Sequence, residues 1–151
     1  MEGKLYERLA ILGTVDPETL TEGLYGEETY YSDYADMSRF NQIMALIMVG
    51  AFAAGAKLDA KLQEAKTAAG GDVQDIEDKA ITQLTEAGSD EDKQAIINLR
   101  ADELSEGYRY VRLAVTVTTD DVDVAAVLLG GDPMYAPATD WDLASVDEIV
   151  S

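Results

Sequence analysis

The stretch Tyr108-Arg109-Tyr110-Val111-Arg112-Leu113-Ala114-Val115-Thr116-Val117-Thr118 decides the fold. Val111, Leu113, Val115 and Val117 share one parity, and Arg112, Ala114, Thr116 and Thr118 share the other. Successive side chains alternate across a strand, so this run has one apolar face and one mostly polar face. Asp120-Asp121 interrupts it, as turn residues do. Val122 to Leu129 resumes the apolar run and ends at Gly130-Gly131-Asp132-Pro133. The two runs read as adjacent antiparallel strands with a short connection.

Working outward, Lys93 to Leu99 sets Ala95, Ile97 and Leu99 against Gln94, Ile96 and Asn98, which predicts another strand. Ala101 to Gly107 is a connector with Leu104 tucked beneath it. Val73 to Leu84 fits either a bent strand or a short helix, and Gly70-Gly71-Asp72 before it marks a turn. Ala87 to Asp92 reads as an exposed acidic loop. Two runs are ambiguous. Phe40 to Phe52 suits a helix face through Ile43, Leu46 and Ile47, or a buried strand. Ala56 to Gln63 alternates like a strand through Leu58, Ala60 and Leu62, yet its Ala, Lys and Leu content favours helix.

The ends differ in character. Leu5, Leu9 and Leu12 are spaced as on a short amphipathic helix. Asp16-Pro17-Glu18 could start a second helical turn. Tyr25, Tyr30, Tyr31 and Tyr34 cluster among Gly and acids, either as half-buried rings at a domain edge or as a contact patch for a protein or a sugar. After Pro137, the tail carries Trp141, Leu143, Val146, Ile149 and Val150 among acids. Leu5, Leu9, Leu12, Tyr30, Tyr31, Tyr34, Trp141, Leu143 and Val146 are the candidate partner-binding residues. Either the terminal sets pack back on their own domain, or one of them is an arm that orders on a neighbouring subunit.

Composition narrows the function. A length of 151 residues suits one domain. Acids outnumber bases 30 to 11, for a net charge of −19. Such a chain repels phosphate backbones and anionic membranes, so neither nucleic acid nor membrane is an expected partner. Ile43 to Ala56 is too short to span a bilayer, and Met1-Glu2-Gly3-Lys4 does not open a signal peptide. With no Cys and no His, disulfides, thiolate chemistry and imidazole catalysis are excluded. No carboxylate pair stands out as an acid/base couple, and no cofactor is expected. Asp120, Asp121 and Asp123 are weak candidates for a divalent cation, without the Gly and distal Glu of an EF-hand loop. Gly130-Gly131 lacks the Lys and hydroxyl of a phosphate loop and reads as a strand end where the backbone turns tightly. Arg109 and Arg112 read as strand-surface charges.

The order and spacing of several runs resemble a family of small tailed-bacteriophage virion proteins. These runs are Ile47 to Gly50, Ala56 to Glu64, Asp75-Ile76 with Lys79 to Leu84, Lys93 to Leu99, Tyr108 to Val117, and Ala125 to Pro133 with Tyr135-Ala136-Pro137. The resemblance implies an all-β fold, a single jelly-roll-like β-sandwich over residues 38–137. Short, partly helical extensions at 1–37 and 138–151 lie outside it. It turns Phe40–Phe52 and Ala56–Ala65 into strands, expected to pair as a hairpin across Gly50 to Gly55. It implies no enzyme and no cofactor. The expected role is a capsid decoration (cement) protein on the outer head surface, made in the bacterial host cytoplasm. Its partners would be the major capsid protein or other virion proteins, with homo-oligomers on the particle. A head–tail connector or tail component is the alternative within that class, and a carbohydrate-binding sandwich using the Tyr cluster is the alternative outside it. The expected core is Leu58, Leu62, Ile97, Leu99, Val111, Leu113, Val115, Val117, Val124 and Leu128.

Overall fold

The computed structural model describes residues 3–151. Ten strands follow in chain order: β1 (Leu9–Leu20), β2 (Glu27–Tyr31), β3 (Ala35–Asp36), β4 (Phe40–Phe52), β5 (Lys57–Ala65), β6 (Gln74–Ala80), β7 (Leu84–Thr85), β8 (Gln94–Arg100), β9 (Tyr110–Thr118) and β10 (Val122–Pro133). Sheet A has the order β1-β10-β4-β8. Sheet B has the order β2-β9-β5-β6, with β3 beside β2 on β9 and β7 beside β6 on β5. The split edges share a row, so each sheet is four rows wide, and every pairing is antiparallel. The first row pairs the last, the second the next to last, and so inward: β1 with β10, β2 and β3 with β9, β4 with β8, β5 with β6 and β7. This is jelly-roll wrapping, and the expected all-β sandwich stands.

The core lies between the sheets. β9 presents Val111, Leu113, Val115 and Val117 inward, and β10 presents Val122, Val124, Ala126 and Leu128. All ten expected core residues are buried, together with Phe40, Ile43, Ile47 and Leu20. One ionisable side chain shares the interior. Glu64 is 1% exposed, and it accepts hydrogen bonds from Gln74 Nε2 at 2.6 Å and from the Ser105 backbone N–H at 3.0 Å. It ties the β6 edge and the loop after β8 to β5. Glu64→Ala strands the Ser105 N–H and leaves Gln74 Nε2 only its bond of 3.2 Å to Ser105 Oγ, and urea unfolding is expected to show a loss of about 1–3 kcal/mol.

Several expectations change. The runs 110–118 and 122–133 are not neighbours: β9 lies in sheet B and β10 in sheet A. Thr119 takes a positive φ of 80° at the reversal that carries the chain across the core. Nor do β4 and β5 pair as a hairpin, since Ala53 to Gly55 also crosses between sheets. In both cases the strands' apolar rows join one core from opposite sheets instead of lying side by side in one sheet. The sandwich also begins well before residue 38, because β1 closes one edge of sheet A and β2 and β3 close one edge of sheet B. The helix expected on Leu5, Leu9 and Leu12 is a 3₁₀ turn at Leu5–Glu7 followed by strand, and Asp16-Pro17-Glu18 lies within β1 where its register shifts. Gly130 is not a strand end. A Cβ there would come within 2.6 Å of Leu12 Cδ1 and 2.8 Å of Phe40 Cδ1, so glycine lets those side chains close over β10.

Candidate interaction face

The two sheets differ on their outer surfaces. Sheet B is polar outside: β5 directs Lys57, Asp59, Lys61 and Gln63 outward, and β9 adds Arg112, Thr116 and Thr118. Lys61 and Gln63 both donate to Asp75 on β6, at 2.8 Å each. This is the ordinary alternation of a half-solvated antiparallel sheet.

Sheet A is apolar on both sides. Its apolar outward positions are Met44, Leu46 and Met48 on β4, Ala125, Val127 and Leu129 on β10, Ile96 on β8, and Leu9 and Ile11 on β1, and the polar Thr14, Gln42, Gln94 and Asn98 share that side. Registry lines them up in rows across the sheet. Val127 pairs with Thr14 and Leu46, and Leu46 with Ile96. Leu129 pairs with Ile11 and Met44. No charged residue occurs in 9–15, 44–48, 94–98 or 125–129. Ile96 is 60% and Met48 49% exposed, so the face is open to solvent. At one end it runs into a groove of about 470 Å³ between the chain termini, lined by Leu5, Leu9, Ile11, Leu129, Val146 and Ile149. Contiguous apolar surface of this kind is a candidate contact site.

The expected partner-binding residues divide between this face and the interior. Leu9 and Val146 line the groove with the exposed Leu5. Leu12 is buried in the core. Trp141 packs against the core and stacks on the Arg39 guanidinium at 3.8 Å. The Leu143 N–H donates to the Ile11 carbonyl at 2.9 Å, and the Asp142 carboxylate accepts from the Ile11 N–H at 2.7 Å. The first part of the tail therefore folds back on its own β1. Tyr30 packs on the core and bonds through its hydroxyl to the Thr21 backbone. Arg112 lies 3.7 Å from the Tyr31 ring and 5.2 Å from that of Tyr34, and its Nε donates to Gln63 at 2.9 Å. It is thus an aromatic-stacked arginine as well as a surface charge, and it already covers a face of Tyr31. The outward residues of β4, β8 and β10 were not among the candidates. Their signal was apolar residues at both parities, which reads equally well as a strand buried on two sides.

At the opposite end of the sandwich, Glu22, Asp120 and Asp121 hold carboxylate oxygens within 4.8 Å of one another. Asp123 stands apart from this trio and accepts from the Thr19 hydroxyl, so Glu22 takes the place expected for it. Burial, then the neighbouring Glu22 carboxylate, push the Asp121 pKa above its ordinary value. An acid whose folded pKa is raised contributes stability below the unfolded pKa and loses it as pH rises through the folded one. Asp121→Asn is therefore expected to raise the melting temperature at pH 7, with the gain vanishing below about pH 4. Calcium and sodium chloride at equal ionic strength are expected to shift that temperature alike, by screening.

No protein-family model and no curated protein sequence matches the chain. Solved structures do match. One is the Gx strain of infectious bursal disease virus, with a TM-score of 0.50 and 12% identity over 89% of this chain and 34% of that one. Another is the VP2 subviral particle of the same virus, with a TM-score of 0.50 and 13% identity over 82% of this chain and 32% of that one. The fold is similar to a viral capsid β-sandwich. At these identities the likeness is one of fold, and the chain spans about a third of the length of the capsid chains it matches. A carbohydrate-binding module of the β-sandwich superfamily also aligns, at a TM-score of 0.43 and 13% identity over 88% of this chain and 59% of that one, too distant to carry weight. Among the described residues no helix is long and apolar enough to cross a membrane.

Proposed function

We propose that this chain is a structural protein of a virus particle, set on the outer head surface of a tailed bacteriophage as a decoration subunit, and not an enzyme. The observation that carries this reading is the division of the surface. One uncharged apolar face lies on a body whose net charge is −19. A subunit that meets its neighbours in an assembly by one side and turns the rest to solvent needs that division. The capsid-like sandwich supports it. The charge favours the outside of the shell, because packed nucleic acid repels an acidic body and phosphate contacts call for basic patches.

Quantitative mass spectrometry of purified particles tests the proposal, paired with surface biotinylation of intact particles at exposed lysines such as Lys57 and Lys93. Capsid-scale copy number with labelling on intact particles is expected. A handful of copies per particle would instead place the chain at the head–tail junction or in the tail. Absence from particles would end the virion reading.

A further inference from the structure

We propose that the outer face of sheet A is the docking site for a second copy of this chain, sheet against sheet about a twofold axis. The inference deepens the reading above, since it names the occupant of the uncharged face.

Charge selects the occupant. In a twofold contact the same patch meets itself, so on a chain where acids outnumber bases 30 to 11 a charged patch would mostly set acid against acid. Two bodies each at −19 repel on every acidic surface. The rows Thr14–Val127–Leu46–Ile96 and Ile11–Leu129–Met44–Asn98 are where they meet without opposing charges. A basic partner imposes no such neutrality, and would be drawn to the acidic surfaces.

Shape and area agree. Outward positions of an antiparallel sheet form a pleated, stackable surface, and stacked sheets pack about 10 Å apart. Three rows at about 6.8 Å and four strands at about 4.8 Å give roughly 400 Å² of sheet. A stable pair buries about 800 Å² per partner. The contiguous groove at Leu5, Leu9, Val146 and Ile149, with Asp142 and Glu148 on its rim, extends the apolar patch toward that figure. Acids flank the face at both ends: Asp16, Glu18 and Asp123 at one, Asp142 and Glu148 at the other. Such a pair holds together by apolar burial against electrostatic repulsion, so added salt must tighten it.

The test is sedimentation velocity of the full chain over a wide concentration range, at about 50 mM and about 500 mM NaCl, conditions that shorten the Debye length severalfold. A monomer–dimer equilibrium that tightens severalfold at high salt is expected. Met48→Glu with Ile96→Glu should weaken it by tenfold or more, on the order of a lost hot spot. Ile96→Glu alone, at an open position on an edge strand, serves if the double variant fails to give the wild-type circular dichroism. Lys57→Glu, on the outside of sheet B, should leave the equilibrium nearly unchanged. A wild type that stays monomeric at every concentration, a dimer indifferent to position 96, or a dimer that loosens with salt would each overturn the proposal. A monomer still found in particles removes only the second copy as occupant, whereas a dimer absent from particles removes only the virion role.

Discussion

Leu113→Ala is expected to lower unfolding free energy by about 2–5 kcal/mol, the range for a leucine deleted from a closed core. Leu113 is fully buried at the centre of β9. Its backbone is fixed on both sides: it pairs with Leu62 on β5, and it exchanges hydrogen bonds with Ser32, whose N–H donates to the Leu113 carbonyl at 3.0 Å and whose Oγ accepts from the Leu113 N–H at 2.9 Å. A strand held so firmly cannot collapse into the vacated space, so the upper half of the range is expected. Thr116→Ala on the same strand is the control. Thr116 faces outward, and its hydroxyl shares a bond of 2.8 Å with that of Thr29, so its loss should cost no more than about 1.5 kcal/mol. Urea denaturation of both variants, with unchanged m-values, checks the difference. Equal small effects would mean that the inner and outer faces of β9 are reversed.

That face was legible because Val111 to Thr118 alternates without a break, and period two is a local property of the chain. The same holds for β8 and for the inner row of β10. Which strand lies beside which was not legible at the reversals. Asp120-Asp121 announces that the chain turns, but a turn within a sheet and a crossing between sheets use the same residue types. The difference lies in which apolar rows find each other over long range. β1 was hidden for another reason. Register shifts after Ile11 and after Val15 break its alternation, leaving Leu5, Leu9 and Leu12 to mimic a helical period. The candidate face was masked by its own composition. Residues apolar at both parities, such as Met44 to Met48, satisfy the pattern of a strand buried on two sides. Only the exposure of Met48 and Ile96 in the folded chain shows that one of those sides is open to solvent. The acidic trio was half legible, since Asp120 and Asp121 are neighbours in sequence while Glu22 arrives from the far side of β1.

Removing residues 138–151 is expected to destabilise the isolated domain by about 3 kcal/mol, and so to lower its melting temperature by roughly 10 °C. Sequence alone left two fates for this tail, an arm for a neighbour or a flap on its own sandwich. The contacts of its first part decide for the flap. Ala138 is fully buried. Trp141 packs on the core and covers Arg39, which in turn pairs with Asp36 at 3.4 Å. Asp36 also takes a two-pronged contact from Arg109, at 2.8 and 2.7 Å, so the stack joins the tail to the end of sheet B. Asp142 and Leu143 occupy the Ile11 N–H and carbonyl on edge strand β1. Truncation at Pro137 therefore uncovers an indole-sized area of core and leaves an edge strand with open hydrogen-bonding groups. Those groups invite pairing with other chains, so aggregation on heating is expected as well. Truncation after Val146 separates the two parts of the tail. It keeps Trp141 and Leu143 and removes only Asp147 to Ser151, of which Ile149 lines the terminal groove. That shorter deletion should leave the melting temperature within about 2 °C of wild type, as expected for surface changes. Differential scanning calorimetry of the two truncations side by side is the measurement. A chain ending at Pro137 that melts like the wild type would show that Trp141 stabilises nothing within its own subunit, and would return the whole tail to the role of an arm.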